Sequence, residues 1–148
     1  MVKIEEPEVK ELEKVTYHPM IKHQAKHIPE VMRIEMDDEF TRIDFIVFAT
    51  SPAFNWEWVS ILPTTFIRIA GLKEKLTLVK AVNIAVSPSR HYFKKRTDLL
   101  PYTLYFPALP KSTTTIDIIE SESAGPTWFN FYGVSMERVR SENLIIGN

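Results

Sequence analysis

The segment from Tyr102 to Val134, YTLYFPALPKSTTTIDIIESESAGPTWFNFYGV, constrains the fold more than any other part of the chain. Apolar side chains recur there at every second residue: Tyr102, Leu104 and Phe106, then Ile116 and Ile118, then Phe129 and Phe131 opposite Trp128, Asn130 and Tyr132. A period of two belongs to a strand with one buried face, because successive side chains leave a pleated backbone on opposite sides. Leu109-Pro110-Lys111 and the stretch from Ser121 to Pro126 interrupt the alternation with turn-forming residues, so the segment reads as three short strands.

The same period extends upstream. Met32, Ile34 and Met36 alternate with Arg33 and Glu35, Asp37-Asp38-Glu39 marks a turn, and Phe40 to Ala49 follows with Ile43, Phe45, Val47 and Ala49 on one face. Ile46 and Phe48 make the far end of that strand apolar on both sides, which predicts a central strand covered on both faces. Thr65 to Ala70 predicts a strand with Ile67 and Ile69 inward, followed by a turn at Gly71. Leu76, Leu78, Val82 and Ile84 keep the two-residue period, with Lys80 as a polar exception at a bulge or an edge. Seven to nine short strands, with turn signals every roughly 8–12 residues and no long amphipathic helix, predict an all-β chain: a single immunoglobulin-like antiparallel β-sandwich. A length of 148 residues suits one such core. The expected organisation is a charged N-terminal extension over 1–28, the sandwich over 29–138 and a tail over 139–148.

Composition narrows the function classes. A formal net charge of -1 lacks the basic excess with which nucleic-acid binders neutralise phosphates, so no nucleic acid is expected as a partner. With no cysteine there is no disulfide, thiolate metal site or cysteine nucleophile. The opening MVKIEEPEVKELEK is charged and carries no apolar leader core, and no apolar run reaches the ~20 residues of a membrane span, so no membrane insertion is expected. Both an exported chain whose leader has been removed and a cytoplasmic chain fit this reading. Neither a G-x-S-x-G turn nor a glycine-rich phosphate loop occurs, and no cofactor is expected.

Four groups of residues could carry chemistry. On an extended backbone Phe54, Trp56 and Trp58 share a side, which suits stacking on sugar rings or docking a protein, or else capping one end of the sandwich. The run Arg90, His91, Tyr92, Phe93, Lys94, Lys95, Arg96 mixes cations with rings and suits an anionic partner, or else is a solvated loop anchored by its aromatics. His18, His23 and His27 are the only clustered imidazoles; His23 and His27 would share a helix face, but Pro19 and Pro29 limit any helix and the sequence between them lacks a catalytic glutamate. Asp117 and Glu120 flank an apolar strand, where hydrogen bonds to turn amides are expected in preference to acid–base work.

Three stretches resemble an uncharacterised β-sandwich domain of Bacteroidetes proteins, found alone or in front of thioredoxin-like domains. They are PTTFIRI from Pro63 to Ile69, LVKAVNIA from Leu78 to Ala85, and the C-terminal end carried by Leu104, Phe106, Leu109, Pro110, Asp117, Ile119, Glu120, Trp128, Gly133 and Val134. The resemblance covers roughly residues 40–136. It implies a sandwich fold and an accessory role in a bacterial cell-envelope or exported system. It implies no redox chemistry, because no Cys-x-x-Cys follows. The expected function is therefore a non-catalytic protein-protein interaction or assembly module, using Phe54, Trp56 and Trp58 for apolar contact and Arg90, His91, Lys94, Lys95 and Arg96 for charge. Homodimer formation through an edge strand is a further expectation. A carbohydrate-binding module on Phe54, Trp56 and Trp58 is the alternative, and a small metal-dependent enzyme on the three histidines a more distant one.

Overall fold

The computed structural model describes residues 14–25, 28–49, 58–124 and 128–136. They form an all-β sandwich of two five-stranded antiparallel sheets and a two-stranded ribbon. The strands are β1 (Lys14–Tyr17), β2 (Ile21–Gln24), β3 (Glu30–Met36), β4 (Phe40–Phe48), β5 (Trp58–Val59), β6 (Phe66–Ile69), β7 (Lys75–Thr77), β8 (Lys80–Val82), β9 (His91–Tyr92), β10 (Leu99–Pro107), β11 (Thr115–Ile119) and β12 (Phe131–Ser135). The first sheet runs β1-β3-β4-β10-β8, the second β2-β12-β11-β6-β7, and β5 pairs with β9. Twelve strands stand among the described residues where seven to nine were expected; four of them, β5, β7, β8 and β9, hold only two or three residues.

β4 and β10 form the spine, in unbroken register from Leu99 opposite Phe48 to Pro107 opposite Phe40. Ala49 donates its amide to the Asp98 carbonyl at 2.9 Å, which fixes the hydrogen-bond phase of this pair. In that phase the ring nitrogens of Pro101 and Pro107 face away from β4, toward the side where β8 pairs only with Thr103 to Tyr105. Two prolines thus sit in a central strand without removing a ladder bond. The hairpin between β3 and β4 closes on Asp37, whose Oδ1 accepts from the amides of Glu39 and Phe40 at 2.8 and 2.9 Å.

The core lies between the sheets. Ile43, Phe45 and Val47 of β4 meet Tyr102, Leu104 and Phe106 of β10 on the inner face, opposed by Ile67, Ile116, Ile118 and Phe131 of the other sheet. Phe45 stacks on Tyr102 with centroids 4.9 Å apart and touches Phe131 across the sheets at 5.6 Å. Such aromatic pairs contribute about 0.5–1.5 kcal/mol beyond their buried area.

Three local readings are corrected. Phe48 is 39% exposed and Ile46 half-buried, so β4 is central in its sheet but covered on one face only. Lys80 is not an exception within one strand: β7 ends the second sheet, β8 ends the first, and the chain crosses between them at Leu78 and Val79. Leu78 gives its amide to Thr65 of the second sheet and Val79 to Tyr105 of the first, both at 2.8 Å. The stretch over 1–28 expected as a charged extension is in part strand and joins both sheets, since β1 pairs with β3 and β2 pairs with β12.

Candidate functional site

The β5–β9 ribbon brings two of the sequence-defined groups together. Trp58 lies opposite Tyr92 and Val59 opposite His91. Val59 is buried, which anchors the ribbon to the core, while Trp58 is half-buried and Tyr92 is 59% exposed. The Arg90 guanidinium carbon sits 4.2 Å from the centroid of the Trp58 ring, a cation–π contact. His91 meets the half-buried ring of Phe93 edge-on at 5.3 Å. Phe54 and Trp56 lie outside the described residues, so their place relative to Trp58 is not part of this geometry.

The basic half of the group is held by a carboxylate. Asp98 Oδ2 accepts from the amides of Lys94 and Lys95 at 2.9 and 3.0 Å, and Asp98 donates its own amide to the Lys95 carbonyl at 3.1 Å. The amides of Lys95 and Lys94 hold the Asp98 carboxyl below its ordinary range. The backbone is thereby tied down while the side chains of Lys94, Lys95 and Arg96 project into solvent. Leu99 follows directly in chain and pairs with Phe48; the two are 50% and 39% exposed on the outer face of the first sheet. This apolar corner beside the basic loop was missed in the sequence reading. Its signal was present, since both residues have the outward parity of otherwise amphipathic strands.

Both members of the acidic pair are engaged in hydrogen bonds. Glu120, 6% exposed, accepts from the Phe129 amide through Oε1 at 2.9 Å and from the Leu62 amide through Oε2 at 3.1 Å. Burial pushes its carboxyl up, against the lowering effect of the two amides. Tyr102, fully buried and near Glu120, is pushed well above the ordinary phenol value by burial and by that charge. Asp117 Oδ1 accepts from the Gly133 amide at 2.8 Å, and its Oδ2 pairs with Arg68 at 3.0 Å. Both carboxylates serve backbone amides, as the sequence suggested.

The histidines do not gather. His18 is an exposed bend residue with φ of 46°, His23 lies on strand β2 with its ring 5.8 Å from Tyr132, and His27 lies outside the described residues. The shared helix face needed for a His23–His27 pair is absent, because Ile21–Gln24 is extended. Among the described residues no group of three or more His, Asp or Glu side chains could hold a metal ion. No helix among them is long and apolar enough to cross a membrane. No protein-family model, curated protein or solved structure matches this chain.

Proposed function

We propose that this chain is a non-catalytic recognition module that docks a protein partner with an acidic surface. The docking patch comprises the β5–β9 ribbon, the Lys94 to Arg96 loop and the Phe48–Leu99 corner. The observation that carries this reading is their continuity along the chain from Arg90 to Leu99, with Leu99 paired to Phe48. Exposed Arg90, Lys94, Lys95 and Arg96 adjoin exposed Tyr92 and Leu99, on a backbone fixed by Asp98. None of these side chains belongs to the main core cluster. Aromatic and arginine side chains dominate the centres of protein interfaces, and rim charge opposite in sign to the partner's steers the encounter.

In the sugar-stacking alternative a sugar competes with Arg90 for one face of the Trp58 ring. Immunoglobulin-like connectivity belongs to the same proposal, as does a role in a bacterial cell-envelope or exported system. The latter is supported by the resemblance over roughly residues 40–136. The test is affinity capture from lysate and envelope fractions with the parent chain and with Lys94→Glu, Lys95→Glu, Arg96→Glu. A control carrying Lys22→Glu, Lys73→Glu, Lys80→Glu matches the charge change elsewhere. Acidic proteins held by the parent and the control but lost by the loop variant are the expected result. Equal recovery by all three refutes the reading.

A further inference from the structure

A second feature lies on the outer face of the other sheet and has no part in the docking patch. An open groove of about 540 Å³ is lined by Thr64, Phe66, Lys75, Thr77, Glu120 and Glu122, among others. Its floor is unusual. Ile67 and Ile69 of β6 point inward, so Phe66 faces outward by parity; yet it is only 6% exposed and stands outside the main core cluster. Its register partner Ile119 is likewise buried outside that cluster.

The groove already shows which kind of group it accepts. The Lys75 ammonium lies 4.6 Å from the Phe66 centroid and 3.9 Å from Glu122 Oε1. A ring face and a carboxylate together make a seat for an organic cation. Lys75 fills it loosely: the ion pair is long, and the two side chains are 57% and 50% exposed, a setting in which such pairs contribute little. Arg68 holds Asp117 at 3.0 Å and the other oxygen of Glu122, Oε2, at 2.7 Å, so Oε1 is the Glu122 oxygen that faces Lys75 and the seat. Glu120 forms a fixed wall, locked by the amides of Phe129 and Leu62. Around the groove two cations, Arg68 and Lys75, face three carboxylates, Asp117, Glu120 and Glu122, leaving one negative charge in excess.

The groove also borders a strand edge that has no pairing partner among the described residues. β7 is the last strand of its sheet. Leu78 donates to the Thr65 carbonyl at 2.8 Å, so Leu78 and Leu76 occupy the hydrogen-bonded pairs with β6. The amides and carbonyls of Lys75 and Thr77 then point away from β6, along the lip of the groove.

We propose that this groove binds the guanidinium of an arginine side chain carried by an extended peptide, whose backbone pairs with β7. The planar guanidinium displaces the Lys75 ammonium from the Phe66 face and pairs with Glu122, while the peptide backbone meets Lys75 and Thr77 as an added strand. The probe is a short blocked peptide of alternating threonine and valine with a central arginine. Its control is the same peptide with citrulline, which keeps the shape and removes the charge. NMR titration of the labelled chain is expected to give saturable shifts at the amides of Lys75, Thr77 and Glu122. The citrulline peptide binds about three- to tenfold more weakly. Glu122→Gln abolishes most of that difference, and Lys75→Ala, which vacates the ring, tightens arginine binding. Both positions are half-exposed, and melting curves of the variants confirm that they fold. Absence of saturable shifts along β7, equal affinity for the two peptides, or weaker binding by Lys75→Ala overturns the proposal.

Discussion

Glu120→Ala isolates the contact that ties the turn after β11 to the segment before β6. In the native chain one buried carboxylate serves two amides from distant parts of the sequence, Phe129 at 2.9 Å and Leu62 at 3.1 Å. Removing it orphans both donors. A buried donor without an acceptor costs about 1–3 kcal/mol, so the gross loss is about 2–6 kcal/mol. Two effects reduce it: the Leu62 bond is only partly buried, which lessens the cost of losing its acceptor, and alanine carries no buried charge. The expected net loss is about 1–4 kcal/mol. At about 2–4 °C per kcal/mol for a chain near this size, the melting temperature falls by about 2–16 °C.

The pH dependence has a definite sign. Burial raises the Glu120 carboxyl, so the folded chain binds this proton more tightly than the unfolded chain. Glu120 therefore contributes least favourably above its folded value, and stability from this group rises as pH falls toward the ordinary value of 4.5. The alanine variant lacks that rise. Calorimetric melts across this range, with hydrogen exchange at the Phe129 amide, are the assay. A variant within about 0.5 kcal/mol of the parent, a Phe129 amide that keeps its protection, or an unchanged pH profile would refute the reasoning, given that surface changes alone fall within about that margin.

Three other outcomes follow from single sites. Thr41 is fully buried with a hydroxyl that has no partner among the described residues, so Thr41→Val should raise stability by about 1 kcal/mol in a urea titration. Gly133 has φ of +66° and an added Cβ would lie 2.6 Å from Lys22 Cβ, so Gly133→Ala should cost at least about 1–2 kcal/mol and weaken exchange protection along β2. Burial pushes the Asp44 carboxyl up, but the Thr103 hydroxyl at 2.7 Å with Arg42 and Arg33 outweighs it and holds the group below 3.8. That stability is present above the unfolded value and lost as pH falls through the folded one; Asp44→Asn should flatten this part of the acid limb in urea midpoints measured from about pH 5 to about pH 2.

The spine of the fold was legible in the sequence because burial on one face writes a two-residue period. Tyr102, Leu104, Phe106, Ile116, Ile118, Phe129 and Phe131 all fall inside as that period requires. The crossing at Leu78 and Val79 was not legible, since β7 and β8 share the period while belonging to opposite sheets; only long-range pairing distinguishes them. Apolar residues on both sides of β4 suggested full cover, yet Phe48 and Leu99 remain exposed at a sheet corner. Glu120 could be assigned to backbone amides from its place just after a strand end, whereas Asp117 lies within β11 and meets the Gly133 amide where the register with β12 shifts. The Trp58–Arg90 contact joins residues far apart in the chain, so their types suggested a site but not their union.

The measurement that tests the recognition account most directly is site-specific photo-crosslinking in the native organism, with a photoreactive phenylalanine analogue placed singly at Tyr92, Leu99 and Tyr17. All three positions are exposed, at 59%, 50% and 64%, so reactivity with bulk solvent is comparable. The account predicts the same discrete protein adduct from Tyr92 and Leu99, absent from Tyr17 and abolished when Lys94, Lys95 and Arg96 are changed to glutamate. No adduct from Tyr92 or Leu99, or an equal adduct from Tyr17, would contradict it.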